Sequence, residues 1–363
     1  MRIALDATPL TITSGGLPRY VTELSIALAQ EFPDDTYYLL SDQPFAMPER
    51  SPSNLLRGRQ PHSAAERRWW LWGIQNAIRH TSAQIFHGTN FEVPYLGGTP
   101  AVLTIHDLSP WREKAWQFHT ENAEADRVRW RTPWLVRLRR ARIIVTVSEA
   151  VRREVINHFG MSEDRVRAVP LAASRFFHPM PPTSPAQKPF FLFVATLEPR
   201  KNVSALVEGW RASRAETGAD LVIAGRIRAD FPELPQYEGM HMLGEVPDEE
   251  LPRLYSDALA FVYPTHYEGF GLPVLEAMQC GCPVITSHDP AVVEVSGGAA
   301  VHTSGAREIA EAMRAIASNP RLRNTLKGCG LERAATFSWS RTARETREVY
   351  RGVLERGRTQ GAA

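Results

Sequence analysis

The sequence is poor in the features that mark membrane, secreted and disulfide-bonded proteins. No apolar run approaches the ~18 residues needed to span a bilayer, and the opening residues MRIALDATPL predict a strand, without the apolar core or cleavage site of a signal peptide. The three cysteines form no pairing framework, because a single residue separates Cys280 from Cys282 and Cys329 stands alone. We therefore expect buried free thiols in a reducing, cytoplasmic compartment.

An excess of charge of one sign is also missing. The chain has 42 Lys and Arg against 40 Asp and Glu, a formal net charge of +2, which gives no reason to expect a nucleic-acid partner. Its 43% hydrophobic and 23% charged residues are typical of a globular protein. A length of 363 residues exceeds one ordinary core and predicts two domains.

Short β-branched runs alternate with helical patterns, which predicts an α/β protein with parallel sheets and crossover helices. Strands are expected near Ile3–Asp6, Tyr37–Leu40, Ile85–His87, Ala101–Ile105, Ile143–Val147, Phe190–Ala195, Leu221–Ala224, Ala260–Tyr263 and Val284–Thr286. Helices are expected after Gly15-Gly16 and near Glu149–Phe159, Val203–Arg214, Asp248–Ser256, Pro273–Cys280 and Ala306–Ala317.

A proline-rich segment without periodic pattern, FHPMPPTSPAQKP, predicts an interdomain linker. We place a first α/β domain at residues 1–177, the linker at 178–189, a second α/β domain at 190–338 and a final amphipathic helix at 339–363.

The most informative run is EGFGLPVLE, in which Glu268 and Glu276 flank a Gly-x-Gly turn at the start of a helix. Gly269 and Gly271 allow the backbone to approach a ligand closely, and the free N–H groups of a helix start favour an anion. Two carboxylates around such a turn suit a molecule with hydroxyls at both ends and an anion between them, such as a nucleotide sugar. The alternative is an ordinary strand-turn-helix junction.

A pair of cations, Arg200-Lys201, follows the first strand of the second domain in FVATLEPRKN. Arg can bind a phosphate as a fork and Lys acts as a point charge, so the pair predicts a diphosphate clamp. A solvated basic turn is the alternative.

Together these segments resemble the retaining glycosyltransferases of family 4 (glycosyl transferases group 1), whose E-x7-E motif EGFGLPVLE matches. The segments GG, HGTNF, IHD, VSEAV and TLEPRKN agree with that family in order. Many family members carry an additional Arg where this chain has Thr196. In this chain, Arg200 and Lys201 would therefore have to balance the negative charge of the phosphates. The resemblance implies a GT-B fold: two Rossmann-like domains facing each other across a cleft, with the final helix crossing back to the first. The first domain would bind the acceptor and the second the nucleotide sugar.

The resemblance also implies roles for the residues of the second domain. Glu276 would hold the ribose hydroxyls and Glu268 the hydroxyls of the donor sugar. Backbone N–H groups of Phe270, Gly271 and Leu272 would meet the sugar and phosphate next to Gly269. Backbone near Val246, in LGEVPDEEL, would contact the base.

In the first domain, the resemblance implies that His106 contacts the donor sugar and, with Asp107, helps shape the reaction centre. Gly15 and Gly16 would allow close approach to the donor phosphates, with the acceptor, or both, as the alternative. A lone His at a strand end is more often structural, but the Asp that follows His106 and the place of this segment in the family favour a site role. His87 also ends a predicted strand and is a secondary candidate.

Two basic-aromatic segments bear on the acceptor: RRWWLW at 67–72, and 127–142, which holds many arginines. They could contact a membrane at its inner face, which would fit a lipid-linked glycan acceptor, or they could be core helices with a solvated face.

The predicted reaction is transfer of a hexose to a glycan or lipid-linked glycan in bacterial polysaccharide synthesis, with retention of configuration and without metal or cofactor. GDP-mannose is the preferred candidate for the donor, and a UDP- or dTDP-sugar is the second candidate. An epimerase of the same fold, a pyridoxal-phosphate-dependent phosphorylase and a non-catalytic sugar-nucleotide-binding protein are the alternatives.

Overall fold

The computed structural model describes residues 1–12, 15–112, 123–181, 188–228 and 231–361 of the 363-residue chain. Its contacts divide it into two compact units. The chain passes from unit 1 to unit 2 between Leu171 and Ala172 and returns to unit 1 at Ser338.

Unit 1 is built on a seven-stranded, all-parallel sheet with strand order β3-β2-β1-β4-β5-β6-β7. Its core side chains are buried between the sheet and the helices, as expected for a parallel sheet covered on both faces. The strands are β1 (Arg2–Asp6), β2 (Thr36–Leu40), β3 (Leu55–Arg57), β4 (Ile85–Gly88), β5 (Ala101–Ile105), β6 (Ala141–Thr146) and β7 (Val166–Ala168).

Unit 2 is built on a six-stranded, all-parallel sheet with strand order β10-β9-β8-β11-β12-β13. In both sheets the strand order reverses direction once, which defines a doubly wound sheet. The strands are β8 (Phe190–Val194), β9 (Asp220–Ala224), β10 (Met240–Gly244), β11 (Ala260–Tyr263), β12 (Val284–Thr286) and β13 (Val301–His302).

Helices connect these strands, and a last helix, α11, packs on α1 and β6 of unit 1. The helices of unit 1 are α1 (Gly16–Glu31), α2 (Ile74–Thr81), α3 (Ala123–Arg137), α4 (Glu149–Phe159) and α11 (Trp339–Gly361). Those of unit 2 are α5 (Val203–Thr217), α6 (Leu251–Asp257), α7 (Leu272–Gln279), α8 (Pro290–Ser296), α9 (Ala306–Ser318) and α10 (Pro320–Ala334). Within the described ranges, every helix is too short or too polar to cross a membrane.

The ends of α4 show how the sequence sets helix boundaries. The Ser148 hydroxyl accepts a hydrogen bond from the Val151 amide at 3.1 Å, and Gly160 ends the helix with a φ of 60°. Both positions agree with the predicted N-cap and stop.

The predicted strands are present with ends within two residues, but four strands were missed: β3, β7, β10 and β13. All four are the outermost strands of their sheets and have two to five residues. Edge strands are short and half-exposed, so they lack the buried β-branched run that identifies a central strand. The predicted helix at 248–256 is instead a 3-10 turn, Asp248–Glu250, followed by α6.

In the structure the chain passes from unit 1 to unit 2 after Leu171, six residues before the predicted end of the first domain at 177. Ala172–Phe177 groups with unit 2, where the Gln279 amide donates to the carbonyls of Ser174 and Phe177 at 2.8 and 2.7 Å. Phe177 is 1% exposed. Of the predicted linker, residues 182–187 lie outside the described residues.

The cysteines follow the expectation in part. Cys280 and Cys282 are buried free thiols, whereas Cys329 is exposed. Burial raises the pKa of Cys280 to about 12, so this thiol stays protonated and unreactive at neutral pH.

Candidate functional site

The candidate site of unit 2 lies where its strand order reverses. From β8 the chain continues to β9 on one side of the sheet, and from β11 it continues to β12 on the other side. Neighbouring parallel strands with such divergent connections open a crevice at their carboxyl ends, where ligands bind. The loop after β8 carries Arg200 and Lys201, and the loop after β11 carries Glu268.

Glu268 is the centre of a buried ion-pair cluster. Its Oε1 accepts hydrogen bonds from three side chains: Lys201 Nζ at 2.5 Å, and the hydroxyls of Tyr263 and Thr265, each at 2.9 Å. Its Oε2 lies 3.1 Å from Arg200 NH1. Burial alone would raise the pKa of Glu268, but the charges of Arg200 and Lys201 outweigh it and lower the pKa to about 2. The carboxylate therefore stays ionised and is a poor proton acceptor.

Lys201 also contacts an aromatic residue of β11, Tyr263, which itself bonds to Glu268. Its Nζ donates to the Tyr263 hydroxyl at 2.6 Å and lies 5.0 Å from the centre of that ring. The side chain is 7% exposed, and burial together with Arg200 lowers the pKa of Lys201. Glu268 opposes this change and keeps the ammonium in place.

Arg200 links Glu268 to a second carboxylate. Its Nε lies 2.6 Å from Glu198, and its NH1 also donates to the Tyr267 carbonyl at 2.9 Å. The Pro199–Lys201 3-10 turn places both cations in the loop between β8 and α5, and Asn202, with φ of 54°, turns the chain into α5.

The start of α7 has the predicted Gly-Leu-Pro arrangement, but the helix begins one residue earlier than predicted. The helix begins at Leu272 with Pro273 in its second position, and Gly271 precedes it with φ of 98°, a conformation that favours glycine. At its end, the amides of Gly281 and Cys282 donate to the carbonyls of Met278 and Ala277, each at 2.9 Å. This is the Schellman pattern expected for a Gly stop.

Neighbouring side chains fix the turn between Glu268 and α7. Phe270 is 4% exposed and contacts Phe337 edge to face at 5.9 Å. Asp289, the N-cap of α8, accepts a bond from the Glu268 amide at 3.3 Å. Gly269 lies between Glu268 and Phe270, so its backbone belongs to this fixed turn.

Glu276 and Val246 lie at the same carboxyl edge of the sheet. Glu276, in the second turn of α7, is 2% exposed, and the Tyr255 hydroxyl lies 3.5 Å from its Oε2. Val246 is half-buried two residues after β10, the edge strand beyond β9. Glu276 follows β11, which is next to β8, and Val246 follows β10, which is two strands from β8 on the other side.

Unit 1 has its own reversal of strand order, between β1 and β4. Gly15 and Gly16 follow β1 and open α1, where Gly15 has φ of 115°. A Cβ at either glycine would meet no atom within 4 Å, so conformation rather than space requires glycine at position 15.

His106 directly follows β5 and is oriented by its neighbours. Its Nε2 lies 2.8 Å from the Thr89 carbonyl, and its ring meets Tyr20 edge-on at 4.7 Å. Because a carbonyl only accepts, Nε2 carries the proton, and burial lowers the pKa of His106 so that the ring is neutral at pH 7. Its Nδ1 is then a hydrogen-bond acceptor, suited to a hydroxyl rather than a phosphate.

Asp107 binds the backbone that follows it. Its Oδ1 accepts bonds from the Ser109 amide at 2.8 Å and from the Ser109 hydroxyl at 2.6 Å. These bonds fix the start of the 3-10 turn Ser109–Trp111, which follows β5.

The secondary candidate His87 is a core residue, so that prediction was wrong. It is fully buried, and its Nδ1 and Nε2 lie 2.7 Å from the hydroxyls of Tyr350 and Thr104. Burial lowers the pKa of His87 to about 3. With both nitrogens bonded inside unit 1, the ring has no atom for a ligand.

The sequence interpretation missed four members of the unit 2 site: Tyr263, Thr265, Glu198 and Arg228. Tyr263 and Thr265 hold Glu268, and Glu198 joins Arg200 to Arg228. The position of Tyr263 at the end of a predicted strand was the available signal, since strand ends meet at one edge of a parallel sheet.

Comparison with known proteins agrees with this architecture. Residues 14–173 match the model of Glycosyltransferase Family 4, and residues 175–331 match that of Glycosyl transferases group 1. The O-antigen chain mannosyltransferase B of Escherichia coli is 33% identical over 296 residues, covering 76% of this chain and 76% of its own length. The chain belongs to the group 1 glycosyltransferases of family 4, and it is a hexosyltransferase.

Other relatives are more distant. The MMP alpha-(1->4)-mannosyltransferase of Mycolicibacterium hassiacum is 27% identical over 226 residues, 59% of this chain and 54% of its own length. Among solved structures, sucrose-phosphate synthase from Thermosynechococcus elongatus has a TM-score of 0.72 at 19% identity, covering 98% of this chain and 99% of its own. HepE from Anabaena, in complex with UDP-glucose, has a TM-score of 0.70 at 16% identity and covers 97% and 100%. These structures show the GT-B fold.

Proposed function

We propose that this glycosyltransferase moves mannose from GDP-mannose, with retention and without a metal ion, to a glycan or lipid-linked glycan in bacterial polysaccharide synthesis. Two of the relatives named above, from Escherichia coli and Mycolicibacterium hassiacum, are mannosyltransferases by name, which supports the sugar. A UDP- or dTDP-sugar is the second candidate, since one structural neighbour was solved with UDP-glucose.

The observation that carries the proposal is the cluster at the carboxyl ends of β8 and β11. Arg200 and Lys201 are fixed there by Glu268 before any ligand arrives, so they need no reorganisation to receive a diphosphate. The amide groups at the start of α7 add further donors beside Gly271. Glu276 would bind the ribose and backbone near Val246 the base.

In the proposed reaction, the bond from the anomeric carbon to the diphosphate oxygen breaks and the acceptor oxygen attacks from the same face. The leaving diphosphate takes the acceptor proton, and Arg200 and Lys201 stabilise its growing charge. This is a metal-independent route because the two cations and helix amides supply the charge. Glu268 does not act as a base, since its pKa of about 2 keeps it ionised and it already accepts three hydrogen bonds and pairs with Arg200.

Unit 1 would contribute His106 through its Nδ1, accepting a hydrogen bond from a sugar hydroxyl. Asp107 would act indirectly, by fixing the turn after β5. Gly15 and Gly16 would let the start of α1 approach the donor phosphates.

Product analysis by NMR tests the reaction class. The protein is incubated with GDP-mannose and mannose oligosaccharides, with EDTA or with Mg²⁺. We expect GDP release and an α-mannosyl product at equal rates in both. A β-linked product would contradict retention, and a requirement for Mg²⁺ would contradict metal independence. Interconversion of sugar nucleotides without nucleotide release would instead identify an epimerase, and binding without turnover a non-catalytic protein.

We also propose that α3 contacts the membrane that carries a lipid-linked acceptor. Trp130, Trp134 and Leu138 follow one another at intervals of four residues on one side of the helix and its end, and they are 69%, 50% and 65% exposed. Exposed arginines, among them Arg127 and Arg137, flank this stripe. Aromatic anchors with basic neighbours suit an anionic bilayer surface.

Vesicle sedimentation tests the membrane contact. The protein should sediment with anionic phosphatidylglycerol vesicles at low salt and remain in solution with phosphatidylcholine vesicles. The double variant Trp130→Ser/Trp134→Ser should lose this binding. The control Leu243→Ser, which removes a 45%-exposed apolar side chain from unit 2, should keep it. Equal binding of both variants would overturn the assignment.

A further inference from the structure

A third cation is tied to the donor-phosphate cluster through an acid. The two oxygens of Glu198 each face one arginine: Oε1 lies 2.6 Å from Arg200 Nε, and Oε2 lies 3.2 Å from Arg228 NH1. The three side chains are 13%, 19% and 9% exposed, so this is a largely buried triad. Neither Glu198 nor Arg228 has a role in the reaction as proposed so far.

The backbone holds Arg228 at this place. Pairing between the chains of β8 and β9 continues beyond both strands, with a bridge between Leu197 and Ile227. The Leu197 amide donates to the Arg226 carbonyl at 2.9 Å, and the Arg228 amide donates to the Leu197 carbonyl at 3.3 Å. Arg228 therefore reaches Glu198 from a fixed backbone position at the carboxyl edge of the sheet.

The charge balance of the linked side chains depends on this residue. Arg200, Lys201 and Arg228 supply three positive charges, and Glu198 and Glu268 supply two negative ones, so the formal charges of these five side chains sum to +1. Without Arg228 the same cluster would be neutral. Glu198 would then be balanced by Arg200 alone, drawing that guanidinium away from a diphosphate that carries about two negative charges.

We infer that Arg228 is a positioning residue of the donor-phosphate site that acts through Glu198. By pairing with one oxygen of Glu198, it reduces the pull of Glu198 on Arg200, so that Arg200 and Lys201 can bind a nucleoside diphosphate. This inference rests on the proposed function, and it assigns to a residue outside TLEPRKN and EGFGLPVLE a share of the affinity for the donor.

Calorimetric titration with GDP, UDP and dTDP tests the inference on the purified full chain. Arg228→Met should weaken binding of the nucleotide that the wild type prefers by about tenfold or more, because charged hydrogen-bonded pairs at buried sites have effects of this size. The matched control Arg226→Met removes an exposed cation two residues away and should stay within about twofold. Arg228→Lys, which keeps the charge, should stay within about threefold and covers the case in which the Met variant fails to fold.

A double variant separates an action through Glu198 from any other role. Glu198→Gln/Arg228→Met removes one anion and one cation together, so the cluster returns to +1, and Gln keeps an oxygen for Arg200. Nucleotide affinity should return to within about threefold of the wild type. A double variant as weak as Arg228→Met, or a full-affinity Arg228→Met, would overturn the inference. A wild type that binds none of the three nucleotides would overturn the proposed donor site itself and this inference with it.

Discussion

Glu268→Gln offers a quantitative test of the ion-pair cluster, because the substitution imitates the protonated form of a buried carboxyl. The pKa of Glu268 falls from its usual 4.5 to about 2 in the folded chain, which corresponds to about 3 kcal/mol favouring the charged form. At pH 7 the variant should therefore be less stable than the wild type by about 3 kcal/mol.

The sign of the pH dependence follows from the lowered pKa. The stabilisation is fully present above pH 4.5, where the unfolded chain is also ionised, and it is lost as the pH falls toward 2. By pH 3 the unfolded carboxyl is protonated and the folded one is not, so about 2 kcal/mol of the difference between wild type and variant should have disappeared. Any fixed cost of placing the Gln amide beside Lys201 is the same at every pH.

Urea unfolding of both proteins between pH 7 and pH 3 gives this difference. The control Glu238→Gln, at a 93%-exposed side chain, should differ from the wild type by less than about 0.5 kcal/mol at every pH. A difference for Glu268→Gln that does not change with pH, or that grows as the pH falls, would refute the account of the cluster.

Three further outcomes are expected. Lys201→Ala should lower the rate of sugar transfer at least about 100-fold with an unchanged circular dichroism spectrum, since it removes a charge from the leaving diphosphate; wild-type turnover would remove the clamp assignment. Glu276→Ala should chiefly weaken nucleotide affinity, by about tenfold, and unchanged binding in calorimetry would count against a ribose role. Gly271→Ala should lower the free energy of unfolding by about 1–3 kcal/mol because its φ is 98° and the added Cβ would lie 3.3 Å from Val292; urea unfolding that matches the wild type would contradict the strain.

The sequence predicted the centre of both sheets and the start of α7, because these features depend on local chemistry. Pro273 and Gly281 limit α7 through their own backbone preferences, and the structure moves the helix by a single residue. The edge strands β3, β7, β10 and β13 escaped prediction because a short, half-exposed strand is defined by its neighbour in the sheet and not by its own residues.

The same distinction applies to the candidate site: features that depend on local sequence were predicted, and contacts between distant parts of the chain were not. His87 and His106 lie near the ends of neighbouring strands, and the sequence ranks His106 first only through the Asp that follows it and the family resemblance. It cannot show that His87 is buried against Tyr350, 263 residues further along the chain. The partners of Arg200 show the same effect: Glu198 is adjacent, but Arg228 reaches it only through the pairing of β8 with β9. The motifs identify the loop that carries Arg200 and Lys201, whereas the order of the strands in the sheet determines which charged side chains pair with them.

The most direct test of the donor site is a thermal-shift panel of GDP, UDP, dTDP and ADP, each with its common sugars, with and without Mg²⁺. A ligand at about 100 times its dissociation constant should stabilise the fold by about 2.7 kcal/mol. We expect a shift that is selective for one nucleotide, first of all GDP, that is equal with and without Mg²⁺, and that is absent in Lys201→Ala. No shift with any nucleotide, or an equal shift in Lys201→Ala, would contradict a diphosphate site at the carboxyl ends of β8 and β11.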